Sequence, residues 1–294
     1  MKIVNYRLHQ PFATDRVGII VENKVIDMAS ASQQQLPVSP SDFFAMGQPA
    51  IEKAKEIATN NQHLQASYAF DRSQVTLGPP VPDPKKIICV GTNYADHVAE
   101  MGSELPQYPV LFSKFSNALI GPEDAIHKST ATGQLDYEVE LALVIGKKAS
   151  SVKKEQATSY IAGYTIGNDI SARDLQKRTP QWLQGKSLDH TTPIGPWVVT
   201  ADEVKQPGQL DIRSYVNGEE RQSSNTRHFI FDIPSLISFI SDLITLEPGD
   251  IILTGTPDGV GLAMDPPQFL QTGDKVRLEI EQIGEMEHHI VTKP

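Results

Sequence analysis

The stretch that decides the fold is LDYEVELALVIG, residues 135–146. Side chains of a β-strand alternate between its two faces, so every second residue here points the same way. One face is an unbroken apolar row of Leu135, Tyr137, Val139, Leu141, Leu143 and Ile145. The other face carries Asp136, Glu138 and Glu140, roughly 7 Å apart for each two-residue step, and then turns apolar at Ala142 and Val144. A strand that enters a core thus places like charges side by side, which is unfavourable unless a cation lies between them.

Length and composition limit the classes of protein to which the chain can belong. Its 294 residues suffice for one large domain, or for a large and a small one. The sequence has no run of about 18 apolar residues, so we expect no membrane-spanning helix. The net charge of −10 argues against nucleic-acid binding, which requires a basic surface. Cys89 is the only cysteine, so an internal disulfide cannot form, and a reducing, cytoplasmic location fits best.

A proline-rich connector, GPPVPDPKK at residues 78–86, divides the sequence into two parts. Residues 1–78 indicate a small α/β domain, with a hairpin that turns at residues 22–24 and a helix that Ser41 opens. Residues 79–294 contain many short apolar strands, separated by helices that we predict near residues 93–101, 153–161, 171–179 and 233–244. The sequence thus predicts an α+β, mainly β fold, in which the antiparallel or mixed sheets of the second domain roll up.

Asp169 is a further carboxylate near this strand, because it ends the next predicted strand, YIAGYTIGND. Neighbouring strands can bring it close to Glu138 and Glu140. Three carboxylates in one pocket raise each other's pKa values unless a cation is present. Oxygen ligands without His or Cys favour Mg²⁺, Mn²⁺ or Ca²⁺ over zinc. An edge strand with a solvated outer face is the alternative, and strand geometry alone leaves both interpretations open.

The segment NDISARDLQKR, residues 168–178, predicts a helix after this second strand. Ser171 precedes Asp174 by three residues, as in a capping box. Arg173 and Gln176 then share one helical face, where a guanidinium can grip a carboxylate with two hydrogen bonds; two solvated residues are the alternative. Lys186 follows in QGKSLDH. Its GKS mimics the end of a phosphate-binding loop, but residue 180 is Pro where that motif requires Gly, so we exclude a nucleotide site.

A third segment, GTNYADHVAEMG at residues 91–102, predicts a short helix that Asn93 caps and Gly102 ends. His97 and Glu100 are three residues apart on it, and a carboxylate beside an imidazole is a familiar arrangement for a general base. An exposed His–Glu pair is the alternative. We expect residues 93–108 to form a mobile lid, because prolines follow the helix-ending glycine.

Two further features lie towards the C-terminus. ILTGTPDGVG, residues 252–261, follows a strand, and its backbone N–H groups can form a nest for an anion or a developing oxyanion. A plain turn is the alternative. His288 and His289 belong to a charged terminal strand, and we expect both to face solvent.

Five motifs, taken in order, resemble the fumarylacetoacetate hydrolase superfamily: GTNYADH, DYEVELALVIGK, GYTIGNDISARDLQ, GKSLD and LEPGDIILTGTPDGVG. The match runs from about residue 84 to the end, and five motifs in the right order are a specific signature. The tail PPQFLQTGDKVRLEIEQIG is similar to the two-domain bacterial and mitochondrial members, which include oxaloacetate decarboxylases and tautomerases. The resemblance implies a central mixed β-roll and a homodimer.

The resemblance also implies a set of site residues. Glu138, Glu140 and Asp169 would ligate Mg²⁺ or Mn²⁺, and no organic cofactor is expected. Catalytic roles fall to His97 and Glu100 on a lid helix and to Lys186 beside the metal, whereas substrate binding falls to Arg173, Gln176, Gly255 and Thr256. Fumarylacetoacetate hydrolase proper has a metal-binding Asp seven residues before its histidine, where this chain has Val90. That departure favours smaller 2-oxo acids over fumarylacetoacetate.

We therefore expect an enzyme that acts on small 2-oxo acids or dicarboxylates through a metal-stabilised enolate. Oxaloacetate decarboxylation or keto–enol tautomerisation is the leading hypothesis, with Arg173 the nearest candidate to grip the second carboxylate. The alternatives are hydrolysis of an acylpyruvate such as fumarylpyruvate, and isomerisation of the 2-hydroxyhepta-2,4-diene-1,7-dioate type. A metal-stabilised binding protein without activity is a further alternative, which the intact set of candidate catalytic residues disfavours. The expected partner is a small molecule rather than nucleic acid or a membrane.

Overall fold

A computed structural model describes residues 1–293 of the chain. This part contains nineteen strands, β1 to β19, at Lys2–Leu8, Arg16–Val21, Lys24–Asp27, Ala69–Asp71, Val75–Gly78, Ile87–Gly91, Val110–Lys114, Leu119–Ile120, Ile126–Lys128, Leu135–Asp136, Val139–Ile145, Ile161–Asn168, Ser171–Ala172, Thr192–Thr200, Asp211–Val216, Glu219–Asn225, Ile251–Leu253, Lys275–Ile280 and Gly284–Thr292. Its seven α-helices, α1 to α7, are Met28–Ala31, Pro40–Met46, Gln48–Ala58, Ala95–Glu100, Arg173–Lys177, Leu183–Lys186 and Ile233–Leu243. Short 3₁₀ helices lie at Asn61–Gln65, Arg72–Gln74, Ser116–Ala118, Lys154–Tyr160, Thr226–His228 and Gly261–Ala263.

The strands form one large and two smaller sheets. The large sheet has twelve strands, with β4-β3-β2-β1-β14-β12-β11-β17-β6-β7 as its main path and β5 and β8 joined to β1 and β14. A second sheet follows the order β16-β15-β18-β19-β9, and β10 pairs with β13. Most neighbours are antiparallel, but β17 and β6, β14 and β8, and β19 and β9 run parallel. Mixed sheets with few helices confirm the predicted α+β, mainly β fold.

Strand β11 lies at the centre because both of its faces are apolar over most of their length and are buried. The apolar row at odd positions from Leu135 to Ile145 belongs to one hydrophobic core, which also contains residues of the second sheet. Ala142 and Val144, on the opposite face, belong to another core, which contains Phe43 and other residues of the N-terminal segment. Burying a large aliphatic side chain contributes about 1.5–3 kcal/mol. One strand therefore stabilises two cores, and its acidic residue Glu140 shares a face with Ala142 and Val144.

The predicted domain boundary at residue 78 crosses a continuous sheet. Strand β1 pairs with β14, where Lys2 lies opposite Val199 and Ile3 lies opposite Val198. The second core likewise joins residues from both sides of the boundary. The division into residues 1–78 and 79–294 therefore stays a prediction about folding units, and the two segments share backbone hydrogen bonds and apolar contacts.

Several local predictions are confirmed and others are wrong. The hairpin between β2 and β3 turns where expected, with Glu22 in the left-handed region at φ 55°. The helix predicted from Ser41 is instead two helices, α2 and α3, because Gly47 has φ 66° and interrupts the helical conformation. The N-cap of α2 is Ser39 rather than Ser41, and the Ser39 side chain accepts a hydrogen bond from Asp42 N–H. The helix predicted near residues 153–161 is a 3₁₀ helix.

Two predicted helix caps and one predicted exposure are also wrong. Asn93 does not cap α4, because its side chain bonds the backbone of Phe231 and Thr254. Ser171 does not cap α5, because its hydroxyl donates to the backbone oxygen of Asp169. His288 is buried, and its Nε2 lies 3.1 Å from the carbonyl oxygen of Gly121. No helix in residues 1–293 has the length and apolar character needed to cross a membrane.

Candidate metal and active site

Three carboxylates converge where β10, β11 and β12 meet. The register of β11 and β12 places Val139 opposite Asn168, so Asp169 follows directly beside Glu138. The Asp169 N–H donates to the Glu138 carbonyl oxygen at 3.0 Å and fixes this arrangement. One oxygen from each of Glu138, Glu140 and Asp169 lies within 4.8 Å of the others, and all three side chains are buried. The structure thus brings together the three predicted metal ligands.

Buried cations face two of these carboxylates. Lys186, at the end of α6, lies 2.8 Å from Glu138 Oε2 and 2.7 Å from Asp169 Oδ2. Lys114, at the end of β7, donates to Asp169 Oδ1 at 2.7 Å and to the Ile170 carbonyl oxygen. Burial acts to lower the pKa of Lys186, but the Asp169 and Glu138 carboxylates outweigh it and hold that pKa above its ordinary value. Lys186 is therefore a cation at neutral pH.

The electrostatics of Glu140 differ from those of Glu138. Burial acts to raise the pKa of Glu138, yet Lys186 and Arg173 outweigh it and hold that pKa well below its usual range. For Glu140, burial and then the Asp169 and Glu138 charges raise the pKa well above its usual value. Its Oε2 accepts one hydrogen bond, from Gly255 N–H at 2.7 Å. A buried carboxylate beside other carboxylates is suited to bind a divalent cation, because the positive charge of the cation would offset the repulsion among the negative charges.

Arg173 is held among three side chains of the protein. Its Nε donates to Asp136 Oδ2 at 2.8 Å, and its Nη1 donates to Gln176 Oε1 at 3.2 Å. Nη2 lies 2.8 Å from Glu138 Oε1, but its N–H bonds are not aligned on an acceptor within the described residues. Arg173 and Gln176 thus share one face of α5 as predicted. The buried Nη2 remains available to an anionic ligand in the cavity.

The predicted pair on α4 is formed. His97 Nδ1 lies 3.1 Å from Glu100 Oε2, which leaves Nε2 as the basic nitrogen when Nδ1 carries the proton. Glu100 Oε1 accepts the Gly259 N–H at 2.8 Å, so the helix is attached to the glycine-rich loop. Gly102, at φ 62°, ends the helix as expected.

The backbone N–H groups of the glycine-rich loop after β17 bind side-chain carboxylates of the protein. N–H groups of Gly255, Gly259 and Gly261 donate to Glu140, Glu100 and Asp136 respectively. Gly255 has φ 101°, and a Cβ there would lie 2.7 Å from the Asn93 Cβ, so only glycine fits. Thr256 is buried, and its hydroxyl donates to the Val139 carbonyl oxygen at 2.9 Å. The loop orients three carboxylates around the site.

These groups enclose one cavity of about 160 Å³. Its polar lining consists of the three clustered carboxylates, Lys186 and Arg173, together with His97, Gln176 and Thr256. The apolar part of the wall consists of Val90, Met101, Phe112 and Trp182. Pockets for drug-sized ligands have about 300–1,000 Å³, so this cavity favours a small acid. Of the predicted site residues, only Glu100 and Gly255 do not line it, and both contact residues that do.

Sequence reasoning missed one charged residue of this network, Lys114, and the role of another, Asp136. Lys114 is fully buried against Asp169, but a lysine in the segment VLFSKF carries no signal that separates it from a solvated one. Asp136 was recognised as part of the acidic row, and the structure gives it a separate role. It binds Arg173 Nε and the N–H groups of Gly261 and Leu262. Its position on the same strand face as Glu138 was the available signal.

The arrangement of these motifs can be compared with known proteins. The sequence profile of the fumarylacetoacetate (FAA) hydrolase C-terminal domain matches residues 86–291, which contain every residue of the site. The chain belongs to the fumarylacetoacetate hydrolase family. This finding confirms the resemblance, and with it the fold expected for the catalytic part.

Relatives and solved structures of this family match over nearly the whole chain. The oxaloacetate tautomerase YisK of Bacillus subtilis (strain 168) is 43% identical over 288 residues, which cover 93% of this chain and 95% of the relative. The mitochondrial oxaloacetate tautomerase fahd2 of Xenopus laevis is 41% identical over 280 residues, which cover 94% of this chain and 86% of the relative. A crystal structure of maleylpyruvate hydrolase from Sphingobium sp. SYK-6, in complex with manganese(II) and pyruvate, has 30% identity and a TM-score of 0.78, with full coverage of both chains.

Proposed function

We propose that the protein is a divalent-metal-dependent tautomerase that interconverts the keto and enol forms of oxaloacetate. The observation that carries this proposal is one small cavity lined both by a buried carboxylate triad and by His97, whose ring contacts Glu100. Two relatives above 40% identity that bear the name oxaloacetate tautomerase support the same substrate.

Glu138, Glu140 and Asp169 would hold the cation, and Mg²⁺ or Mn²⁺ suits three hard oxygen donors. When bound, the cation supplies Lewis-acid stabilisation of the enolate oxygen. The manganese(II) in the maleylpyruvate hydrolase structure, which is 30% identical, supports a divalent cation. No organic cofactor enters the proposal.

The residues of the chain account for the proton movements. His97 Nε2 would take the proton from C3, because Glu100 binds Nδ1 and orients the ring. The Lys186 ammonium would stabilise the negative charge that develops on the C2 oxygen. Arg173 Nη2 and Gln176 would orient the acid, and the Thr256 segment would close the wall of the cavity. Tautomerisation is complete when the oxygen at C2 receives a proton and C3 has lost one.

Two other reactions can proceed at the same site through the enolate of pyruvate. Decarboxylation of oxaloacetate forms that enolate when the C3–C4 bond breaks and CO₂ leaves, and it does not require a base at C3. Acylpyruvate hydrolysis requires activated water and a larger substrate, and the maleylpyruvate hydrolase structure is the observation in its favour. The cavity of about 160 Å³ favours oxaloacetate over the longer acylpyruvates and over dioates of the 2-hydroxyhepta-2,4-diene type.

The decisive experiment measures kcat/KM of Mg²⁺-loaded protein for oxaloacetate tautomerisation, oxaloacetate decarboxylation and acetylpyruvate hydrolysis. We expect tautomerisation to dominate and to fall at least a hundredfold, about 2.7 kcal/mol, in His97→Ala, whereas decarboxylation should largely survive this change. A hundredfold preference for acetylpyruvate over oxaloacetate would overturn the assignment.

We also propose a cytoplasmic homodimer. Exposed apolar side chains support self-association: Leu105, Tyr108, Leu243 and Ile244 lie on segments that meet, since Tyr108 stacks on Phe239 of α7. The single, buried Cys89 is compatible with a reducing compartment. Light scattering of the purified protein should give twice the chain mass of 32.3 kDa.

A further inference from the structure

Three cationic side chains line the cavity, and two of them are engaged by carboxylates of the protein itself. Lys186 contacts Glu138 and Asp169, and Arg173 contacts Asp136 and Glu138. Lys177 is exposed, and within residues 1–293 it has neither an ion-pair partner nor a side-chain hydrogen bond. Of the three, only Lys177 has no carboxylate contact within residues 1–293, so its whole ammonium group can face a ligand.

The position of Lys177 is fixed by helix α5. This helix begins at the buried Arg173 and ends at the exposed Lys177, and Gln176 between them also lines the cavity. The helix thus leads from a buried part of the cavity wall to an exposed part, which is its mouth. A ligand whose first carboxylate lies near the metal ligands would direct its far end towards Lys177.

The charges of the site favour a second anionic group at this mouth. When ionised, the carboxylates of Asp136, Glu138, Glu140 and Asp169 exceed by one the buried cations Lys114, Arg173 and Lys186. A divalent cation reverses this excess to one positive charge, which a single carboxylate of a ligand neutralises. A second carboxylate needs another cation, and Lys177 supplies it.

We propose that Lys177 binds the distal carboxylate of the substrate and thereby selects 2-oxo dicarboxylates over 2-oxo monocarboxylates. This inference rests on the proposed function, which places the 2-oxo acid end of the substrate near the metal ligands. It assigns the second carboxylate to a residue that the family resemblance did not include. Arg173, engaged with Asp136 and Glu138, then orients the proximal part of the acid.

The test compares two acids that differ only in the distal carboxylate. Oxaloacetate is measured by its KM for tautomerisation, and pyruvate by its inhibition constant in the same assay. We expect Lys177→Gln to raise the KM for oxaloacetate about tenfold while the inhibition constant of pyruvate and kcat stay within twofold. Lys177→Arg, which keeps the charge, should retain a KM within threefold of the wild type.

Lys205→Gln is the matched control, because it makes the same substitution at an exposed lysine that does not line the cavity and has no ion pair or side-chain hydrogen bond within residues 1–293. We expect it to leave both constants unchanged. An unchanged KM in Lys177→Gln, or equal weakening of oxaloacetate and pyruvate, would overturn the inference. If the wild type instead hydrolyses acylpyruvates, the proposed function fails, and the same variants are compared on fumarylpyruvate and acetylpyruvate. If it turns over neither class, calorimetric binding of oxaloacetate and pyruvate to the Mg²⁺-loaded variants decides.

Discussion

At the scale of single residues, the three carboxylates of the opening strand have different partners. Glu138 faces Lys186 and Arg173, Glu140 faces the Gly255 N–H, and Asp136 faces Arg173 and the loop at Gly261. The two-residue alternation of a strand predicted that these side chains share a face, but it could not predict which group each carboxylate contacts. Those contacts depend on Arg173, Lys186 and the glycine-rich loop, which are remote in sequence.

Glu140 is the residue where function and stability should oppose each other. Its folded-state pKa lies above the unfolded one, so at neutral pH the ionised group destabilises the metal-free fold. We expect Glu140→Gln to raise the melting temperature of chelated protein by about 3 °C and to abolish both turnover and the stabilisation that Mg²⁺ gives the wild type. Calorimetry with and without Mg²⁺ measures both effects. A Mg²⁺-induced shift of wild-type size in the variant would contradict the assigned ligand set.

Asp136 should act by positioning Arg173. The change Asp136→Asn keeps the shape but removes the negative partner of a buried guanidinium, and breaking a buried pair costs about 3–5 kcal/mol. We expect lower stability and a higher KM for oxaloacetate, with the pH profile of kcat unchanged because His97 is not touched. Denaturant unfolding and steady-state kinetics measure these effects. An altered pH profile would assign Asp136 to proton transfer instead.

At the scale of elements, the α4 segment is attached to the rest of the protein both before the helix and at its end. Asn93 is bonded to Phe231 and Thr254, and Tyr94 forms a bridge with Phe229, so the chain is anchored before the helix. Beyond it, α4 is attached to the glycine-rich loop through Glu100 and Gly259. The sequence predicted the helix and its final glycine. It could not predict that Asn93 serves as an anchor, because the partners of that side chain are about 140 to 160 residues away.

Hydrogen exchange tests whether this segment is a lid. We expect amides of residues 95–108 to exchange more slowly when Mg²⁺ and oxalate bind, because closure over the ligand protects them. In Glu100→Ala the same amides should exchange faster, since the helix loses its contact with Gly259. Identical exchange with and without ligand would speak against a lid.

Other elements show where local patterns stop being informative. The apolar pattern of residues 41–61 is helical, but Gly47 interrupts the helix because φ 66° is open to glycine and a Cβ would meet the Gly146 oxygen at 2.6 Å. That contact comes from a segment about a hundred residues later. The pattern of the terminal strand likewise favoured exposure of His288, whereas that side chain is buried and contacts the carbonyl oxygen of Gly121, more than 160 residues earlier.

At the scale of the whole molecule, His288 should make stability depend on pH. Burial lowers the pKa of His288 from 6.5 to about 4, so between these values the unfolded chain is protonated and the folded chain is not. The stability is fully present above pH 6.5 and decreases as the pH falls towards 4, with about 2 kcal/mol lost between pH 7 and pH 5. We expect His288→Gln to remove this loss, measured by urea unfolding at both pH values. His289→Gln, on the exposed face of the same strand, is the control and should retain it.

The sheet that crosses residue 78 bears on the predicted domain boundary. A chain of residues 79–293 would leave the β14 edge unpaired and would expose part of the second core, including Val198 and Ile251. We expect this fragment to aggregate or to melt well below the full chain. Static light scattering and thermal unfolding of the two proteins measure this. A fragment with full stability would establish residues 79–294 as an independent domain.

The pairing of β1 with β14 also determines when this part of the sheet can form while the chain is synthesised on the ribosome. Strand β1 leaves first, and it can pair early with β2 and β5, which lie within residues 16–78. Its N-terminal half must wait for Val198 and Val199, about 195 residues later. At about 5–20 residues per second, that delay lasts roughly 10–40 s. During this time an apolar strand edge stays open in the nascent chain, so we expect chaperone dependence to rise when translation is slow.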